Sequence, residues 1–164
     1  MRSIAVIAHN IRSTHNVGSI LRTADGFGVE EIYFTGITPY PATENDTRLP
    51  HISKKLTEQI NKTALGAVAT TKWSHNQDVI KLVDDLKQQG YRIIGLEQAK
   101  DSIPLSKYTP AEKCALILGN EVSGINKELL ATCDDIVEII MYGHKESFNV
   151  VQATAVALYA LREA

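Results

Sequence analysis

The sequence predicts an α/β fold with a mainly parallel sheet and helices on both faces. Three observations carry this reading. Strand-like and helix-like stretches alternate along all 164 residues. The chain opens as strand, short helix, strand, and such a βαβ unit pairs its strands in parallel. No linker, repeat or low-complexity stretch divides it, so residues 1–164 read as one domain.

The first strand is "SIAVIA" at 3–8. The helix "NVGSILRTADGFG" follows, with Asn16 as its N-cap and Val17, Ile20, Leu21 and Ala24 as its buried stripe. Gly26 is its expected left-handed stop. "VEEIYFTG" at 29–36 is the second strand. Pro39, Pro41, Asn45, Asp46 and Pro50 mark 37–50 as loop. Residues 51–68 are partly helical and locally basic. The clearest helix is 76–89, capped by Asn76, turning Val79, Ile80, Val83 and Leu86 inward, and ended by Gly90. Strands are expected at 91–97, 114–121 and 136–141, a short helix at "NKELLAT", and a closing helix at 149–163.

Composition excludes several classes. With 44% hydrophobic and 22% charged residues the chain is globular rather than disordered. Apolar runs such as "CALIL" are too short to span a membrane, and the first residues do not form a signal peptide, so a cytoplasmic protein is expected. Cys114 and Cys133 lack metal-type spacing, and the five histidines form no H-x-x-x-H pair, so no metal site is expected. The net charge of −2 gives no general nucleic-acid signal.

In open parallel sheets, ligands sit at the carboxyl ends of strands. Three loops there are rich in polar residues and glycine: "HNIRSTHNVG", "GNEVSGI" and "MYGHKESFN". The Rossmann fingerprint is absent, since "GFG" at 26–28 precedes a strand. "GNEVSGIN" has the Walker glycine spacing, but Ile125 and Asn126 stand where Lys and Ser/Thr are required. There is no G-x-S-x-G, and a His144–Ser147 dyad would lack an orienting acid. In the first helix Gly18 and Arg22 share a face at i, i+4, with Asp25 near it. One reading is a surface Arg22–Asp25 pair. The other is a ligand site, in which Gly18 lets an anion approach the backbone and the positive helix end.

The three stretches, in this order, resemble the signature motifs of the SpoU/TrmH-type branch of the SPOUT superfamily of RNA methyltransferases. They are N-x-G-x-x-x-R-T-A at Asn16–Ala24, L-G-N-E-x-x-G-I at Leu118–Ile125, and I-x-M-x-G-x-x-x-S-F-N-V at Ile139–Val150. "NKTALGA" at 61–67 resembles a further family segment. The resemblance covers essentially the whole chain. It implies a parallel α/β sheet with a deep C-terminal trefoil knot, a homodimer whose active site combines both chains, and S-adenosylmethionine as methyl donor. The substrate it implies is a ribose 2′-hydroxyl in RNA, and no N-terminal RNA-binding extension of the kind many members carry is expected. Transfer RNA and ribosomal RNA both fit the family; transfer RNA is favoured because a small enzyme can read a compact substrate through a dimer.

By position the resemblance assigns the cofactor to Leu96, Gly119, Asn120, Gly124, Ile139, Met141, Ser147, Phe148 and Val150. It assigns the chemistry to Arg22, supported by Asn16, Glu121, Ser147 and Asn149. Arg22 is either the general base or a phosphate clamp beside which a phosphate oxygen or water takes the proton. RNA contacts are expected from Arg12, His15, Arg48, Lys54, Lys55 and Lys62. Two rival readings are a non-catalytic module of the same fold and a nucleotide-dependent α/β enzyme. Five intact motif residues argue against the first and the missing fingerprints against the second.

Overall fold

A computed structural model describes all residues, 1–164. Seven strands form one sheet: β1 (Ser3–His9), β2 (Glu31–Thr35), β3 (Trp73–Asn76), β4 (Arg92–Leu96), β5 (Ile103–Pro104), β6 (Lys113–Leu118) and β7 (Asp135–Glu138). Their order is β3-β2-β1-β6-β4-β7-β5, and every pairing is parallel. The helices are α1 (Thr14–Gly26), α2 (Pro50–Ala64), α3 (Ala67–Thr70), α4 (Val79–Gln88), α5 (Lys127–Leu130) and α6 (Val150–Glu163).

Strand alternation divides the core into two layers. Ile4, Val6 and Ala8 of β1, with Cys114, Leu116 and Leu118 of β6, meet α1, α2, α3 and α6 on one face. Ala5, Ile7, Ala115 and Ile117 meet α4 and α5 on the other. A sheet covered on both faces needs strands that are apolar throughout, which is why β1 and β6 read as unbroken hydrophobic runs.

Helix boundaries differ from the sequence expectation in instructive ways. Ser13, not Asn16, caps α1: its hydroxyl accepts from the Asn16 N–H, and Asn16 lies within the first turn. Gly26 belongs to the helix, and the left-handed residue is Gly28, with φ 60°. Asp78 rather than Asn76 caps α4, accepting from the Lys81 N–H, because Asn76 is still paired with Thr35 in the sheet. Leu82 joins Val83 and Leu86 in the buried face of α4, while Val79 and Ile80 are only half-buried. Two strands escaped the sequence. β3, "WSHN", is a short, polar edge strand, and β5 has two residues, so neither carries a readable alternation. β7 ends at Glu138, short of the expected Met141, because residues 139–149 leave the sheet.

That departing segment sets up the site. β7 lies beyond β4, yet α6 packs with α1 on the far side of the sheet's centre. The Arg162 guanidinium fixes α6 there by donating to the carbonyls of Phe27 and Gly28 at 3.0 and 2.9 Å. Residues 139–149 therefore travel back past the carboxyl ends of β4 and β6, against the loops that follow those strands. No helix is long and apolar enough to cross a membrane.

Candidate active site

The loop after β6 is closed by its own backbone. Asn120 N–H donates to Gly124 O at 3.1 Å and Gly124 N–H to Asn120 O at 3.0 Å. The Asn120 side-chain oxygen accepts from the Val122 and Ser123 N–H groups at 2.9 and 3.1 Å. Two glycines make this tightness possible. A Cβ at Gly119 would lie 2.4 Å from the Gly124 carbonyl carbon, and one at Gly124, whose φ is 67°, would lie 2.1 Å from Glu97 Oε2. Glu97, in the loop after β4, accepts from the Ile125 N–H at 2.9 Å. Its neighbour Gln98 donates to Glu146 O at 2.8 Å and so ties in the segment after β7.

These three loops enclose a cavity of about 290 Å³. Leu96, Gly119, Asn120, Gly124, Ile139, Met141, Ser147, Phe148 and Val150, the nine residues expected around a cofactor, all line it. Leu96, Leu118, Ile139, Phe148 and Val150 give it an apolar wall. Glu97, Glu121, Glu138 and Glu146 also line it, and no lysine or arginine does. The cavity thus suits a ligand with a flat apolar part and a positive charge. Glu97, Glu138 and Glu146 were not singled out from the sequence, although Glu146 lies within the loop "MYGHKESFN" and Glu138 immediately precedes the Ile139–Val150 motif. No cluster of His, Cys, Asp or Glu is arranged to hold a metal ion.

Glu121 faces away from β6 onto the start of α1. Its carboxylate accepts from the Arg12 N–H at 2.9 Å, the Ser13 N–H at 3.0 Å and the Asn16 amide at 2.9 Å. Burial pushes this carboxyl up, but the Arg12 N–H, the Asn16 amide and the Ser13 N–H together hold it below the usual carboxylate range. Glu121 thus sets a negative charge against the positive end of α1. Because Ser13 takes the capping role, the Asn16 side chain is free to reach Glu121.

Gly18 has a different purpose from the one expected. It is buried, and a Cβ there would lie 2.2 Å from both Ile60 O and Thr63 Oγ1. α2 crosses α1 at backbone contact, and the space at Gly18 belongs to α2, not to a ligand. Thr63 completes the crossing by donating to His15 O at 2.8 Å. Leu65 and Gly66, both left-handed, then turn the chain from α2 into α3. The "NKTALGA" segment is legible in these terms.

Arg22 is exposed, one turn beyond the crossing, and does not line the cavity of its own chain. It does not pair with Asp25, whose carboxylate instead accepts from the Thr70 hydroxyl at 2.8 Å. Ser147 is exposed at the cavity wall. Asn149 caps α6 by accepting from the Val151 N–H at 2.8 Å and lies outside the cavity lining.

Of the residues expected to meet RNA, Arg12, His15, Lys54, Lys55 and Lys62 are exposed, and the three lysines form no ion pair. Arg48 is different. It pairs with Asp46 at 2.5 Å, donates to the carbonyls of Tyr40 and Pro41, and lies 3.6 Å above the Tyr40 ring, which stacks on His75. It serves the internal order of the loop 37–50 and is not a free cation.

Comparison with known proteins adds to this geometry. A protein of Staphylococcus haemolyticus assigned to the TrmH family of tRNA/rRNA methyltransferases is 30% identical over 96% of this chain and 57% of its own length. The tRNA (guanosine(18)-2′-O)-methyltransferase of Aquifex aeolicus is 28% identical over 96% of this chain and 68% of its own. The chain thus spans little more than half the length of the first relative. The A. aeolicus TrmH/SpoU tRNA modifying enzyme superposes with a TM-score of 0.81 at 23% identity, covering 99% of this chain and 75% of that one. An AdoMet-bound rRNA methyltransferase from Sinorhizobium meliloti gives 0.81 at 21% identity, covering 99% and 57%. At such identities the likeness is one of fold. The profile of the SpoU rRNA Methylase family matches residues 3–159, and the chain belongs to that family.

Proposed function

We propose that this chain transfers a methyl group from S-adenosylmethionine to a ribose 2′-hydroxyl of RNA, with transfer RNA as the substrate. The observation that carries the reading is the cavity between the three strand-end loops. Its apolar wall suits an adenine, and its four carboxylates with no opposing cation suit a sulfonium and an ammonium group. Leu96, Ile139, Phe148 and Val150 would hold the base, and Glu97, Glu138 and Glu146 would offset the positive charge. S-adenosylmethionine supplies an already activated methyl group. The chain's own residues must therefore orient the alcohol and receive its proton.

Glu121, which lines the cavity, holds the Asn16 amide and fixes the start of α1. Arg22 acts as a phosphate clamp rather than as a base, because a guanidinium stays protonated and offers a planar fork to phosphate oxygens. It reaches the reacting ribose in the cavity of a second copy. This agrees with its exposure, with its absence from its own chain's cavity, and with the uncovered Val156 and Tyr159 of the neighbouring α6, 44% and 61% exposed. The homodimer, the trefoil threading of residues 139–149 and a cytoplasmic site of action belong to the same proposal. Transfer RNA is preferred because the A. aeolicus relative is named for a tRNA nucleotide.

The test is methyl transfer to total RNA, mapping of the product, and repetition with a 2′-deoxy nucleotide at the mapped site. Continued methylation of the deoxy substrate would refute the ribose, and mapping to ribosomal RNA would refute the tRNA preference. Arg22→Ala should abolish turnover and leave calorimetric binding of S-adenosylmethionine near wild type. Wild-type turnover in that variant would refute the role of Arg22.

A further inference from the structure

At the carboxyl ends of β1 and β2, two residues with left-handed backbones face each other: Asn10, with φ 57°, and Gly36, with φ 63°. A Cβ on Gly36 would lie 2.0 Å from Asn10 Oδ1, so the missing side chain is what admits the Asn10 amide. An asparagine tolerates this conformation better than most residues, but outside glycine it still marks a place worth explaining.

The hydrogen bonds fix which way that amide points. The Ile37 N–H donates to Asn10 Oδ1 at 3.0 Å. The other end, Nδ2, is therefore the atom 2.9 Å from His9 Nε2. A donor facing Nε2 requires that nitrogen to be unprotonated, so His9 carries its proton on Nδ1 and donates to Thr35 Oγ1 at 2.9 Å. His9 is 6% exposed, and burial favours its neutral form. No charged side chain perturbs it from β1, β2 or the loops around them.

The relay continues through the backbone. Asn10 O accepts from Asn120 Nδ2 at 2.9 Å, and Asn120 Oδ1 holds the N–H groups of Val122 and Ser123, just beyond Glu121. Thr38 adds a strut by donating to Ala8 O and accepting from the Ile11 N–H. An unbroken set of hydrogen bonds thus runs from β2 through His9 and Asn10 to the loop that carries Glu121. Neither His9 nor Asn10 lines the cavity.

We propose that Asn10, latched by His9, is a positioning residue of the methyl-transfer site. It sets the Glu121 loop against the start of α1 without touching cofactor or RNA. The proposal rests on the function given above. Asn10→Gly and Asn10→Asp test it. Glycine keeps the left-handed backbone and its carbonyl but deletes the amide. Aspartate still accepts from Ile37, but it puts an oxygen opposite His9 Nε2. The His9 proton then moves to Nε2, and the Thr35 hydroxyl donates to Nδ1.

The readouts are the ¹⁵N shifts of the His9 ring, the affinity for S-adenosylmethionine, and kcat and KM for RNA methylation. The wild type should show the Nδ1–H tautomer. Asn10→Gly should lose kcat on the order of tenfold, with cofactor affinity nearly unchanged. Asn10→Asp should show the Nε2–H form and recover most of the kcat, which a merely structural lesion would not do. If Asn10→Gly does not fold, Asn10→Asp decides alone: it must be active with the switched tautomer. An Nε2–H wild type, or an Asn10→Gly enzyme with full kcat, overturns the role of Asn10 and leaves the methyltransferase reading intact. A folded wild type that methylates no ribose overturns both.

Discussion

Replacing Gly18 with alanine puts a methyl group where α2 already is. Its Cβ would fall 2.2 Å from Ile60 O, 2.2 Å from Thr63 Oγ1 and 2.9 Å from Ala64 N. Two of these atoms are backbone and cannot rotate away, so the helices must separate. Overpacking of this kind costs about 3 kcal/mol. Displacing Thr63 from its bond to His15 O adds about 1 kcal/mol. Alanine returns about 1 kcal/mol through its higher helix propensity. The balance is about 3 kcal/mol of destabilisation, which for a chain of this size lowers Tm by roughly 6–12 °C. Urea and thermal unfolding of Gly18→Ala against wild type measure it. A ligand site at Gly18 makes the opposite forecast, because alanine would then stabilise the free protein and harm only binding. A variant as stable as wild type, with weakened RNA binding, would refute the helix-crossing account.

Three further changes probe the rest of the site. The folded carboxyl of Glu121 lies below its ordinary value of 4.5, so the unfolded chain takes up the proton first as pH falls. Its stabilisation is complete above about pH 4.5 and drains away as pH drops through the folded value. Glu121→Gln should therefore flatten the acid limb of a stability–pH profile, as read from urea midpoints. Arg48→Lys keeps the charge but loses the fork onto Asp46 and the two carbonyls. It should cost about 1–3 kcal/mol in unfolding experiments and leave the salt dependence of RNA affinity unchanged. Changing Lys54, Lys55 and Lys62 together to glutamine should reduce the slope of log affinity against log salt by roughly 0.7–0.9 for each phosphate that is no longer neutralised. An unaltered slope would remove α2 from the RNA-binding face.

The sequence was most legible where one physical rule left few choices. A parallel sheet sends its ligands to the carboxyl ends of strands. That directs attention to the loops after β1, β6 and β7; the family resemblance added the loop after β4, and the nine residues it assigned to the cofactor do line one cavity. It was least legible where the missing fact was the identity of a neighbour. Periodicity tells which face of α1 is covered, but not by what. A glycine on such a face looks the same whether a ligand or another backbone fills the space. A basic residue between prolines, as at Arg48, looks the same whether it meets RNA or its own loop. β3 and β5 escaped for a simpler reason, since two to four residues carry too little pattern to read.

Glu121 shows how these partial readings combine. From the sequence it was one polar residue among several at a strand end, assigned with Asn16 to the support of Arg22. In the fold its carboxylate is the anion at the positive end of α1, and Asn16 is the partner it takes. The loop that walls the cavity and the helix that bears Arg22 are therefore one assembly, joined at a single side chain. Displacing the loop after β6 moves the start of α1, and separating α1 from α2 at Gly18 pulls on the same joint. Changes on either side should then fail to add. Combining Gly18→Ala with Glu121→Gln should destabilise by less than the sum of the two, because each loosens the same joint. Strict additivity would mean that the loop and the helix are held independently, and the coupling argued here would be wrong.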